Sequence, residues 1–169
     1  MNILAISGSL RARSSNAALL RAAASLVPEG MVVTFYEGLA TLPHFNPDLD
    51  GDDPLPPVRD LRSLLAAADG LLVSSPEYAH GVPGSLKNAL DWIVSSGELT
   101  DKPLALLTAA PGGGEFAHAA LAETLGIMGA RVLPEASLKT SAARKDADPE
   151  LARALAASLR TLAAAISGA

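Results

Sequence analysis

Five short apolar runs, at residues 2–7, 31–36, 70–75, 103–109 and 131–133, alternate with stretches of helical spacing at 15–26, 58–68, 83–94, 115–128 and 149–166. Runs that are apolar throughout read as strands buried on both faces, and helical crossovers between them call for parallel neighbours. Right-handed crossovers then put helices on both sides of the sheet, which predicts a three-layer, doubly wound α/β fold with one domain over residues 1–169. The stretch from Glu37 to Pro57 is rich in Pro, Asp and Gly and reads as a loop. Ligands of such sheets bind beyond the carboxyl ends of the strands, so the loops to inspect follow Ser7, Tyr36, Ser75 and Ala109.

Composition removes several functional classes. A net charge of -5 leaves no basic stripe for nucleic acid or for an anionic membrane surface. Without cysteine there is no disulfide, thiolate nucleophile or iron–sulfur cluster, so redox chemistry here requires a bound cofactor. No apolar run is long enough for a bilayer, and Met1 leads into a strand with no basic region or cleavage site, so a cytoplasmic location is expected. His44, His80 and His118 lack metal-ligand spacing. Asp48, Asp50, Asp52 and Asp53 read as a solvated acidic loop, because Arg59 stands where a calcium loop of the EF-hand type needs Glu. A magnesium-binding receiver domain needs acidic residues at its strand ends, where this chain has Ser7 and Ser75.

Three loops carry the chemistry. Residues 7–16 (SGSLRARSSN) offer the hydroxyls of Ser9, Ser14 and Ser15, the amide of Asn16, the Arg11 guanidinium and the N-terminus of a helix. Short donors, a delocalised cation and the positive end of a helix dipole suit a phosphate, although a serine here also serves as a plain helix cap. The loop has neither the G-x-G-x-x-G of a dinucleotide-binding turn nor the G-x-x-x-x-G-K-[ST] of a triphosphate loop. Residues 76–92 (PEYAHGVPGSLKNALDW) begin with Pro76, which stops a strand, and contain Gly81 and Gly84, which permit close backbone approach. Tyr78 sits where it could flank a flat ring, Glu77 is an acceptor or a solvent-facing residue, and Trp92 reads as core packing. Residues 108–114 (TAAPGGG) spend three consecutive glycines where backbone must lie against something flat or bulky.

Taken together, GSLRARSSN, PEYAHGVPGSLKNALDW and TAAPGGG, with LPHFNPDL and PPVRDLRSLLAAADGLLVSSPEY between them, resemble the NADPH-dependent FMN reductases, whose members include quinone, chromate and azo-dye reductases. The resemblance implies a flavodoxin-like fold with a five-stranded parallel sheet in the order 2-1-3-4-5, one FMN, NADPH or NADH as co-substrate, and a homodimer or homotetramer. It implies hydride transfer from the nicotinamide to FMN and on to a small acceptor such as a quinone, free flavin, chromate or an azo compound, with ping-pong kinetics. By position, Ser9, Arg11, Ser14 and Asn16 match the family's phosphate-binding residues, with Ser15 at the variable place. Pro76, Glu77, Tyr78 and Gly81 match the segment along the isoalloxazine, and Pro111, Gly112 and Gly113 the loop over its pyrimidine end. Two places depart from the pattern: Ala79 and His80 follow P-E-Y where many members have Asn, and Glu115 and Phe116 follow the glycines. His80 is read as a loop histidine or a substrate contact. No catalytic acid or base is expected. The alternative is a flavodoxin-type electron carrier that binds FMN without oxidising nicotinamide, although such carriers are more acidic and richer in aromatic residues.

Overall fold

The five apolar runs form β1 (Asn2–Ser7), β2 (Val32–Tyr36), β3 (Gly70–Ser74), β4 (Pro103–Ala109) and β5 (Arg131–Val132). In the computed structural model, which describes residues 1–141 and 148–168, they lie in the order β2-β1-β3-β4-β5 with every neighbouring pair parallel. This is the flavodoxin-like order that the resemblance implies. The crossovers are α1 (Ser15–Ala24), α2 (Pro56–Ala67), α3 (Gly84–Asp91) and α4 (Glu115–Ile127), and α5 (Pro149–Ser167) closes the fold.

Alternation along the strands divides the core in two. Leu4, Ile6, Leu71, Val73, Leu104 and Leu106 pack with Leu61 and Leu65 of α2, Leu86 and Leu90 of α3, and Leu121 and Leu125 of α4. On the other face, Ile3, Ala5, Leu72, Ala105 and Leu107 meet Leu19 and Leu20 of α1 and Leu155, Leu159 and Leu162 of α5. All residues of β3 and β4 are buried, which explains why those runs carry no polar alternation until their ends.

A sixth short strand, β6 (Leu138–Thr140), is an addition to the expected five. It continues the edge that β5 begins, pairing with Leu107–Ala109 while β5 pairs with Pro103 and Leu104. The interruption is a 3₁₀ turn at Pro134–Ala136, where Pro134 has no N–H for the ladder. Ser137 bridges the gap: its hydroxyl accepts from the Leu106 N–H at 3.0 Å and donates to the Leu133 carbonyl at 2.8 Å.

The long segment after β2 is tied down. Asn88 of α3 accepts from the Phe45 N–H and donates to the Pro43 carbonyl, which also receives the Trp92 indole N–H at 2.8 Å. Phe45 meets the fully buried Trp92 edge-on, with centroids 5.1 Å apart. Arg62 of α2 donates to Asp50 at 2.6 Å and to the Trp92 carbonyl, and Ser95 donates to the other Asp50 oxygen. Burial opposes a charge on Asp50, but the hydrogen bonds from Ser95 and Arg62 and the charge of the guanidinium outweigh it, holding the carboxyl below its ordinary value.

Removing the guanidinium leaves a poorly solvated carboxylate, so Arg62→Ala is expected to cost about 2 kcal/mol at neutral pH. A carboxyl whose folded pKa lies below its unfolded one contributes stability above the ordinary carboxylate range and loses it as pH falls through the folded value. The gap in denaturation midpoint between the wild type and Arg62→Ala should therefore narrow on acidification below about pH 4. A gap independent of pH would contradict this role for Asp50.

Candidate functional site

The loops after β1, β3 and β4 emerge side by side because these strands are neighbours. In the first, the Ser9 N–H donates to Ser7 Oγ at 3.4 Å, the Arg11 N–H to Ser9 Oγ at 3.3 Å, and the Ala17 N–H to Ser14 Oγ at 3.3 Å. Ser14 is the N-cap of α1, and the first intrahelical bond runs from the Ala18 N–H to its carbonyl. The N–H groups of Ser15 and Asn16 precede that bond and have no intrahelical acceptor. Ser9 and Ser14 each accept a backbone N–H, which leaves each hydroxyl proton to be donated outwards. Arg11 and Ser15 are exposed beside them.

Asn16 has another task. Its side chain is buried, with Oδ1 accepting from the Ser74 hydroxyl at 2.8 Å and the Ala109 N–H at 3.0 Å, while Nδ2 donates to the Ala109 carbonyl at 2.9 Å. The amide thus bolts the start of α1 to the ends of β3 and β4, and what Asn16 can offer an anion is its backbone N–H.

In the second loop, Pro76 is buried and Glu77 partly so. Tyr78 and Gly81 exchange both backbone hydrogen bonds, at 3.1 and 2.9 Å, closing a two-residue hairpin turn. Ala79 and His80 occupy its centre at φ 49° and 60°, the positive values such a turn demands and Asn or Gly adopt most readily. Tyr78 is 54% exposed. The Glu77 carboxylate accepts from the Ala117 N–H at 3.0 Å, serving the N-terminus of α4, whose N-cap Gly114 has no side chain to do so.

The glycines of the third loop differ in what they do. Gly113 and Gly114 have φ of 88° and 74°, and a Cβ on Gly114 would lie 2.4 Å from Thr108 Cγ2. Gly112 has neither constraint, and a Cβ there meets nothing within 4 Å. Pro111 and Gly112 are exposed. Behind the loop, Thr108 Oγ1 and His118 Nδ1 are 2.8 Å apart. Burial, reinforced by the Lys139 ammonium and only partly opposed by Glu115, pushes the His118 imidazole below its ordinary value and favours the neutral ring. Lys139 is paired with Glu115.

The three loops thus share the carboxyl edge of the sheet. A separate cavity of about 580 Å³ lies between α1 and α5; it touches Ser14 and Ser15 but none of the second-loop residues and neither Pro111 nor the glycines. Among the described residues no group of His, Asp or Glu is placed to hold a metal ion.

The sequence signature described as NADPH-dependent FMN reductase matches residues 1–145. The chain belongs to the NADPH-dependent FMN reductase family. Its relatives include a probable NADPH:quinone oxidoreductase of Oryza sativa, 45% identical over 54% of this chain and 47% of the relative. An NAD(P)H-dependent FMN reductase of Pseudomonas aeruginosa is 40% identical over 66% of this chain and 61% of its own length. The chain thus spans about half to three fifths of these curated relatives. Among solved structures, the flavoenzyme NAD(P)H:(acceptor) oxidoreductase of Paracoccus denitrificans superposes with a TM-score of 0.84 at 26% identity, covering 99% of this chain and 97% of that one.

Within this member of the family the two departures from the family pattern meet in space. The His80 ring stacks on Phe116, centroids 4.2 Å apart and planes 17° from parallel. Sequence reasoning treated these positions separately. Nor does the sequence reveal that Thr108, His118 and Gly114 shape the glycine loop from behind.

Proposed function

We propose that the chain is a single FMN-binding domain over residues 1–169 that oxidises NADPH or NADH and reduces small acceptors such as quinones, free flavin, chromate or azo compounds. The observation that carries this reading is the first loop. Two hydroxyls with protons left to donate, two N–H groups without intrahelical acceptors and the exposed Arg11 all belong to the loop leading into α1 and its first turn. That donor set fits a phosphate dianion.

Ser9, Arg11, Ser14 and Ser15, with the backbone of Asn16, would hold the phosphate. Pro76, Glu77, Tyr78 and Gly81 on one side and Pro111, Gly112 and Gly113 on the other would seat the ring. The open space over Gly112 suits a group lying directly on backbone. When bound, FMN supplies the chemistry, accepting a hydride from the dihydronicotinamide and returning two electrons and a proton, with a second proton from solvent, to a quinone. The protein's share is placement and exclusion of water. Glu77 is committed to the α4 N-terminus, Glu115 to Lys139 and His118 to Thr108, which favours positioning over acid–base catalysis.

A cytoplasmic homodimer or homotetramer belongs to the same proposal. Val94 and Ile127, 63% and 81% exposed, are apolar side chains that association would cover. No helix among the described residues is long and apolar enough to cross a membrane.

Arg11→Ala tests the phosphate assignment. Loss of one charge-assisted bond should weaken FMN binding about tenfold, with an unchanged denaturation midpoint of the FMN-free protein. Fluorescence titration with FMN that shows no change in affinity would contradict it.

A further inference from the structure

The hairpin at Tyr78–Gly81 holds two non-glycine residues at positive φ, and the second of them carries a ring that stacks on Phe116 in the first turn of α4. Neither feature is needed to close the turn, because Asn and Gly close it with less strain. Nor does the stack build the core, since His80 is exposed and Phe116 is 57% exposed. Sparsely populated backbone conformations held in place by their surroundings concentrate where a side chain must be presented. Here the side chain is His80, exposed on the loop after β3 and two residues along the chain from the half-exposed Tyr78.

We propose that the His80–Phe116 stack, with Tyr78, forms an aromatic rim that selects flat, uncharged rings among the reductase's ligands. The inference rests on the reductase reading above. Each stacked ring keeps a face turned away from the other, and π faces favour offset stacking with a second flat ring. The acidic groups of the two loops are already engaged, Glu77 with the Ala117 N–H and Glu115 with Lys139. The rim therefore attracts by apolar contact and stacking rather than by a free carboxylate. A quinone and the nicotinamide ring share this chemistry; a compact inorganic anion does not. Because His80 and Phe116 stand at the positions where the chain departs from its family pattern, these two residues set the preference of this member, while Tyr78 belongs to both the rim and the cofactor seat.

The test uses FMN-loaded protein and the variants His80→Ala, Phe116→Ala and His80→Phe, the last of which keeps a stack. KM is measured for 1,4-benzoquinone and for ferricyanide, and the NADPH concentration giving half-maximal anaerobic bleaching is measured separately. The expected result is a rise of about fivefold in the benzoquinone KM of both alanine variants, with ferricyanide unchanged and His80→Phe close to wild type. A rise confined to the NADPH requirement would also bear out the rim and assign it to the nicotinamide. Equal shifts with benzoquinone, ferricyanide and NADPH would overturn the proposal, because the stack would then only prop the hairpin; so would no shift in any. If NADPH fails to bleach even the unmodified protein, the reductase reading falls and the rim falls with it.

Discussion

Replacing Asn16 by alanine is expected to cost about 4 kcal/mol of folding stability, measured on the FMN-free protein by chemical denaturation. The amide makes three buried hydrogen bonds to residues 58 and 93 positions away in sequence, joining α1 to β3 and β4. Truncation leaves the Ser74 hydroxyl and both polar groups of the Ala109 backbone without these partners, where water has little access. Each such orphan costs about 1–3 kcal/mol. Asn16→Asp should not rescue the loss, because a carboxylate oxygen would face the Ala109 carbonyl and bring a charge into a buried position. A residue that only touched phosphate would behave differently, losing FMN affinity with no change in the stability of the FMN-free protein. An unchanged midpoint for Asn16→Ala would overturn the structural role assigned here.

The glycine loop yields a contrast of comparable size. Gly114→Ala puts a Cβ at a left-handed position and 2.4 Å from Thr108 Cγ2, with Ala110 Cβ at 3.2 Å. The backbone conformation costs about 1 kcal/mol and the overpacking about 1–3 kcal/mol, for an expected loss near 3 kcal/mol. Gly112→Ala meets no such obstacle and should leave the FMN-free protein as stable as before, or slightly more so through the unfolded chain. If the flavin lies on this stretch of backbone, Gly112→Ala should still weaken FMN binding about tenfold. Denaturation midpoints and FMN titrations of the two variants separate the glycine that builds the loop from the glycine that serves the ligand. Equal FMN affinity in Gly112→Ala and wild type would remove Gly112 from the proposed seat.

These contrasts mark what the sequence reveals and what it conceals. The sheet is legible because the middles of β1, β3 and β4 are buried on both faces and therefore run apolar, with polar residues only towards the ends. β6 is not legible: Leu138–Thr140 is three residues long, contains an exposed Lys139 and follows a proline turn, so no period emerges. The three loops can be recognised as ligand loops from their serines and glycines, since those residue types follow from local backbone needs. The division of labour within them depends on distant partners. Asn16 and Ser15 look alike as helix-start donors, yet one is locked to β4 and the other exposed. Glu77 becomes a helix-terminal acceptor because the N-cap of α4 is Gly114, far along the chain, which offers no side chain to the Ala117 N–H. The left-handed turn at Ala79 and His80 carries no Asn or Gly to announce it; the Tyr78–Gly81 pairing and the stack on Phe116 reveal it.

The most direct test of the central claim is anaerobic. Purified protein is loaded with FMN, freed of excess, and mixed with NADPH or NADH while the visible absorption of the flavin is followed. The account predicts rapid bleaching by at least one nucleotide and recovery of the absorption when a quinone is added. FMN that binds but is bleached by neither nucleotide would contradict the reductase and leave an electron carrier, and failure to bind FMN at all would contradict the three-loop site itself.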